Sequence, residues 1–156
     1  MEVTFSMPIS LSEEQMREVI MDHYTHPRNV KDLTNDDTYI TIHMDSASCI
    51  DDIFVHVKIN HGVIADIKWH FNQCCAISKA STSIMTELIN NKSIEEAEAI
   101  IENFFNMLNE KEFDSDVLLE ANCFCNTYKQ PSRINCATIG YRGFIEALKE
   151  YQNGKR

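Results

Sequence analysis

The chain is short of positive charge. Lysine and arginine number 14 against 24 aspartates and glutamates, a formal charge of −10 over 156 residues. So acidic a surface repels phosphate backbones and anionic lipid, which argues against nucleic acid and membrane as partners and suits a basic protein surface. Long hydrophobic runs are also missing. No stretch approaches the ~18 apolar residues of a membrane span, and Met1 to Ser10 lacks the basic and apolar regions of a signal peptide. Internal repeats, low-complexity tracts and linkers are absent. Cysteine is sparse: six residues, below the density of a disulfide-stapled secreted scaffold. No pair is spaced Cys-x-x-Cys, which removes the zinc-ribbon and thioredoxin-like signatures. These absences predict a cytoplasmic protein whose thiols stay reduced, and such thiols pack, bind metal or react.

What is present reads as one α+β domain over residues 1–156. At 44% hydrophobic and 24% charged residues the composition is globular. Leu11 to Tyr24 has a helical stripe (Leu11, Met16, Val19, Ile20, Tyr24), with Ser12–Gln15 or Ser10–Glu13 as the capping box and Pro27 as the stop. Tyr39 to Met44, Ile53 to Ile59 and Val63 to Phe71 read as strands of an antiparallel meander. Asn60-His61-Gly62 is the turn, and Phe54, His56 and Lys58 are the outward positions. The period then changes to about 3.6. Ile77, Ala80, Ile84, Leu88 and Ile89 form one helical stripe. A second helix opens on the Ser93–Glu96 capping box, with Ile94, Ala97, Ile101, Phe105 and Leu108 inside. Val117 to Ala121 reads as a short helix. Pro131 starts a last one carrying Ile134, Ala137, Tyr141, Ile145 and Leu148.

Three cysteines fall at junctions between these elements: Cys49 before the second strand, Cys75 where strand gives way to helix, and Cys136 in the first turns of the last helix. Helix N-termini favour anions, and Arg133 lies one turn before Cys136, so Cys75 and Cys136 are placed for a lowered pKa. With Asp51 they make a tetrahedral set of three sulfurs and one oxygen suited to zinc. Spread over 88 positions, the spacing alone leaves packing and chemistry both open. The histidines, His23, His26, His43, His56, His61 and His70, form no His-x-x-x-His pair and read as surface or core residues. The run Glu95, Glu96, Glu98 and Glu102 reads as a solvated helix face.

The segments H-Y-T-H-P-R-N (His23 to Asn29), S-C-I-D-D (Ser48 to Asp52), C-C-A-I-S-K-A-S (Cys74 to Ser81) and R-I-N-C-A-T (Arg133 to Thr138) stand in an order that resembles the NifU N-terminal, or IscU-like, family. The likeness covers nearly the whole chain. It implies a small three-stranded antiparallel sheet with helices packed on it, the SufE/NifU-like fold. One branch of the family holds a nascent iron–sulfur cluster and has a histidine before its last cysteine, where this chain has Asn135. The SufU branch has an arginine three residues before that cysteine, here Arg133, and a longer insertion, here 60 residues between Cys75 and Cys136. The chain resembles the SufU branch.

That resemblance implies a zinc-dependent sulfurtransferase serving iron–sulfur cluster assembly. Zinc would be held by Cys49, Asp51, Cys75 and Cys136. Cys49 would accept persulfide sulfur from a SufS-like cysteine desulfurase, after a partner histidine replaces it on the metal. Arg133 would steady the sulfurs or the docked partner, and a downstream assembly scaffold would receive the sulfur. Two other readings stand beside it: a scaffold assembling a [2Fe–2S] cluster on the same ligands, and a zinc-stabilised interaction module that transfers nothing. The chain departs from the family pattern at Ile50, Asn72 and Cys74, each in place of a glycine. Cys74 beside Cys75, and Asp52 beside Asp51, leave two ligand choices, which the family pattern settles for Cys75 and Asp51. Cys123 and Cys125 match no family motif and read as packed or exposed thiols.

Overall fold

The computed structural model describes residues 10–46 and 50–154; Cys49 lies outside them. The chain runs through helix α1 (Glu13–Thr25), strands β1 (Ile40–Asp45), β2 (Asp52–Asn60) and β3 (Val63–Gln73), then helices α2 (Ala76–Ile89), α3 (Ile94–Leu108) and α4 (Pro131–Gln152). The strands form an antiparallel sheet in the order β1-β2-β3, as their alternation predicts. His61 and Gly62, at φ 51° and 75°, make the two-residue β2–β3 turn, whose hand matches strand twist. Asn72 and Cys74 are not among the described residues with positive φ, so these departures from the family glycines involve no left-handed strain.

Ile53, Val55 and Val57 of β2 face the helices with their cross-strand partners Ile67 and Trp69, all fully buried. The Trp69 indole N–H donates to the Arg28 carbonyl at 2.9 Å. His56 lies on the opposite face, as its parity predicts, yet it too is fully buried. The chain around Leu33 covers it: the Leu33 N–H donates to its Nε2 at 3.3 Å. That covering segment is anchored because Lys31 and Asn29 exchange backbone hydrogen bonds with Trp69, at 2.9 and 3.1 Å, along the free edge of β3.

Helix α2 departs most from its predicted amphipathicity. The apolar stripe is present, but Ser78, Ser81, Thr82, Ser83 and Thr86 are buried as well, so the helix is enclosed on nearly every side. Buried hydroxyls need partners, and most have them. Ser81 donates to the Ala137 carbonyl at 2.6 Å. Ser83 Oγ meets His23 Nδ1 at 2.7 Å and accepts the Arg28 N–H at 2.8 Å. Thr86 Oγ1 accepts from the Asn29 amide at 3.0 Å. The segment His23 to Asn29 is thus a polar clasp that holds the end of α1 to α2.

The remaining helices follow their sequence signals closely. Ser12–Gln15 caps α1 and Ser93–Glu96 caps α3, both with reciprocal bonds. Pro131 opens α4. Phe104 of α3 stacks on Tyr141 of α4 with centroids 4.2 Å apart, while Glu95, Glu96, Glu98 and Glu102 are exposed. The short helix expected at Val117–Ala121 is instead a series of 3-10 turns, Ser115–Val117, Leu119–Phe124 and Thr127–Lys129. Leu119 at φ 44° interrupts any continuous α-helix there.

Helices α2 and α4 cross closely at Gly140. A Cβ at this position would lie 2.6 Å from Thr82 Oγ1 and 3.1 Å from Thr82 Cβ. Thr82 Cγ2 would lie only 2.9 Å away, so rotating this stiff, enclosed threonine exchanges one branch atom for another and does not clear the clash. Gly140→Ala is therefore expected to destabilise the fold by roughly 1–2 kcal/mol, because overpacking outweighs the gain in helix propensity. Urea unfolding would read this as a lower midpoint at unchanged slope, largely relieved by adding Thr82→Ala. A midpoint at or above wild type would contradict the close crossing.

Candidate metal centre

The site forms where the sheet hands over to α2. Asp51 ends the connection between β1 and β2, and its carbonyl accepts the Ser46 N–H at 3.0 Å, which ties the end of β1 to the start of β2. The Asp51 side chain is buried, at 1% exposure, and points at the start of α2. Its Oδ1 accepts the Cys75 N–H at 2.8 Å, and its Oδ2 accepts a short hydrogen bond from the Ser78 hydroxyl. Cys75 is the N-cap of α2: Sγ takes the Ser78 N–H at 3.4 Å and lies 3.1 Å from Ser78 Oγ. The N-terminal end of α2 thus meets a carboxylate and a thiol, the groups a positive helix end favours.

Cys136 comes from α4 and completes the cluster. The donor atoms of Asp51, Cys75 and Cys136 all lie within 4.8 Å of one another. Its electrostatic setting differs from the expectation. Pro131 is the first helical residue, so Cys136 stands in the second turn, beyond the reach of unpaired helix-end N–H groups. Of the two described thiols of the cluster, Cys75 alone uses a helix terminus.

Side-chain direction separates the members of the two neighbouring pairs. Asp52 turns to the other face of the sheet, where it bonds His43 at 2.5 Å and Asn72 at 3.1 Å. Cys74 packs against the core, where burial pushes its thiol up to about 12. Neither joins the cluster. Cys123 is buried and Cys125 half-buried beside Met16, with Sγ to Sδ 3.6 Å; burial raises both thiols. They are packed thiols.

Arg133 is exposed. It lines an open groove of about 560 Å³ with Arg17, Ile20, Ile77, Cys123 and Gln130, between α1 and the start of α4. Among the described residues its guanidinium makes no ion pair or hydrogen bond. Asn135, at the position of the scaffold branch's histidine, is occupied elsewhere: Arg142 Nη2 donates to its Oδ1 at 2.8 Å, and its amide reaches Ser46 Oγ at 3.5 Å.

Sequence reasoning overlooked Ser78 as a site residue, although its place three residues after an N-cap is the usual capping position. It also passed over two histidine clusters. His23 Nε2 lies 3.1 Å from Glu120 and 3.7 Å from Glu87, and His56 gathers with His70 and Asp32. Both are assembled across elements, so no local spacing announces them.

Thiol, thiol and carboxylate are a fitting donor set for zinc, which takes sulfur and oxygen ligands at four positions. Comparison with known proteins agrees with the fold and the order of motifs. The model of the NifU-like N-terminal domain matches residues 15–156, and the chain belongs to that family. Within it the chain is 34% identical over 139 residues to the zinc-dependent sulfurtransferase SufU of Bacillus subtilis, covering 88% of this chain and 92% of that one. It is 33% identical over 138 residues to the iron–sulfur cluster assembly scaffold IscU of Streptococcus pyogenes, covering 88% and 84%. A Fervidobacterium islandicum structure described as an assembly scaffold for the SUF system superposes with a TM-score of 0.76 at 30% identity, over 84% of this chain and 94% of that one.

Ser78 should matter to the site without needing to touch a metal. Ser78→Ala leaves a buried carboxylate oxygen short of a donor, which costs about 1–3 kcal/mol. Urea unfolding of metal-free protein would show that loss. A change below about 0.5 kcal/mol would mean that the Ser78–Asp51 bond contributes little.

Proposed function

We propose that this protein is a zinc-dependent sulfurtransferase that takes persulfide sulfur from a cysteine desulfurase of the SufS type and passes it on for iron–sulfur cluster assembly. The observation that carries this reading is the convergence of Asp51, Cys75 and Cys136 at the N-terminus of α2. Cys49, two residues before Asp51, supplies the fourth ligand. Bound there, zinc keeps thiols deprotonated at neutral pH and has no redox reaction of its own. The Cys49 thiolate attacks the terminal sulfur of the partner's persulfide. A bond forms between Cys49 Sγ and that sulfur, the partner's S–S bond breaks, and the partner cysteine leaves as a thiolate.

Asp51 and Cys75 stay in place during this exchange because each is tied to Ser78 and to the start of α2. Arg133, with no anion of its own among the described residues, is available beside the site to a docked partner or to developing sulfur charge. The net charge of −10 favours a basic docking surface on that partner.

A [2Fe–2S] scaffold is the second reading, since the same thiols suit iron and the Streptococcus pyogenes relative carries that name. The engagement of Asn135 by Arg142 and Ser46 favours sulfur transfer over it. Anaerobic reconstitution with iron and sulfide separates the two. Sulfur transfer predicts no coloured product that survives desalting.

Purified wild type is expected to contain about one tightly bound zinc per chain and to become persulfidated by the desulfurase with cysteine as sulfur source. Cys49→Ala should retain its fold and accept no sulfur, as read by intact-mass spectrometry and sulfide release. Undiminished stimulation of the desulfurase by Cys49→Ala would sink the transfer reading and leave a zinc-stabilised interaction module.

A further inference from the structure

The open face of the sheet gathers a second donor set that sulfur transfer does not use. His56 of β2 pairs with Lys68, and Phe54 with His70 of β3, so the two histidines are diagonal neighbours on one face. His56 Nε2 and His70 Nδ1 lie 2.8 Å apart. Asp32 Oδ1 stands 3.7 Å from His70 Nδ1, and all three donor atoms lie within 4.8 Å of one another.

Each donor is held in position from outside the cluster. The other ring nitrogen of His56, Nδ1, meets Thr41 Oγ1 at 2.8 Å. Because Nε2 accepts the Leu33 N–H at 3.3 Å, the ring proton resides on Nδ1 and is donated to Thr41. This outer hydrogen bond is the kind that orients metal-binding histidines and fixes their tautomer. Burial and the neighbouring His70 bring the His56 imidazole down to about 4, so the ring is neutral at pH 7 and Nε2 keeps the lone pair that takes these hydrogen bonds. His70 stacks on Phe54 at a centroid distance of 4.5 Å and lies nearly parallel to His56, which it meets edge to edge at a centroid distance of 4.9 Å; Phe54 stacks in turn on His43 at 4.3 Å. Asp32 accepts from Thr34 N at 2.9 Å and Thr34 Oγ1 at 2.6 Å, and these bonds keep its carboxyl below the usual carboxylate range. The side chains of Asp32 and His70 are 64% and 17% exposed, which leaves a path from solvent.

We propose that His56, His70 and Asp32 form a second metal site, for a divalent first-row transition ion with water in its remaining positions. Two imidazoles and one carboxylate suit zinc, cobalt, nickel or ferrous iron, and not magnesium or calcium, which prefer all-oxygen shells. On binding, His56 Nε2 exchanges its two hydrogen-bond donors for the ion. His70 presents Nδ1, its proton passing to Nε2 by tautomer exchange through water. Zinc–nitrogen bonds of about 2.0–2.1 Å place tetrahedral nitrogens ~3.3 Å apart, so the rings open by about 0.5 Å. The ion would also tie the segment around Asp32 to the sheet.

Cobalt titration of metal-free protein under anaerobic conditions tests this. The thiolate site gives intense sulfur-to-cobalt bands in the near ultraviolet, whereas a nitrogen and oxygen site adds only weak visible bands. Wild type is expected to bind two equivalents. Asp32→Asn and His70→Gln, both at solvent-accessible positions, should each weaken the second equivalent by about 10-fold or more. Both should leave the first equivalent and its sulfur bands intact, with circular dichroism unchanged. Failure of the thiolate site would appear separately, as missing sulfur bands. One equivalent only in wild type, or a second equivalent bound equally well by both variants, would overturn the proposal and leave a hydrogen-bonded imidazole pair.

Discussion

The enclosure of α2 is the constraint from which the rest of the structure follows. A helix buried on nearly every side cannot leave its hydroxyls or its N-terminal N–H groups unpaired without a cost of about 1–3 kcal/mol each. Ser83 and Thr86 are met by the His23 to Asn29 clasp on one side, and Ser81 by the Ala137 carbonyl of α4 on another. Its N-terminus is met by the Asp51 carboxylate and by Cys75 itself. The cluster of Asp51, Cys75 and Cys136 is thus the polar solution to a packing problem at one end of a buried helix. This is why its donors come from the end of a connection, a helix cap and a neighbouring helix, and why they meet although they are remote in sequence.

The same arrangement divides labour among the site residues. Asp51 and Cys75 are tied to α2 through Ser78, and Cys136 is fixed by the close α2–α4 crossing at Gly140. Cys49 belongs to the connection between β1 and β2, whose flanking strands are tied by the Ser46–Asp51 bond. In the proposed reaction the three anchored donors keep the centre in place while the loop cysteine exchanges. Ile50, 57% exposed beside it, replaces a family glycine with a stiffer β-branched residue.

Much of the fold was legible because local signals and tertiary packing agree. The meander followed from period-two alternation and Asn60-His61-Gly62, the helix starts from Ser12–Gln15, Ser93–Glu96 and Pro131. The site's composition came mainly from the family motifs, since Asp51 against Asp52 and Cys75 against Cys74 differ only in side-chain direction at a strand end. Three features were not legible. Burial of Ser81, Ser83 and Thr86 depends on partners more than 50 residues away, so their polarity pointed to the wrong face. His56 read as outward because nothing local reveals that Leu33 covers it. The His56–His70 pair is diagonal across a hairpin, which only the β2–β3 register exposes.

The central claim is that zinc is held by Asp51 with three cysteines, one of them Cys49. Zinc-edge X-ray absorption on the freshly purified protein tests it most directly. The account predicts four-coordinate zinc with three sulfurs at about 2.3 Å and one oxygen at about 2.0–2.2 Å, and a drop to two sulfurs in Cys49→Ala. A wild-type spectrum dominated by nitrogen and oxygen, or a sulfur count unchanged by removing Cys49, would contradict it.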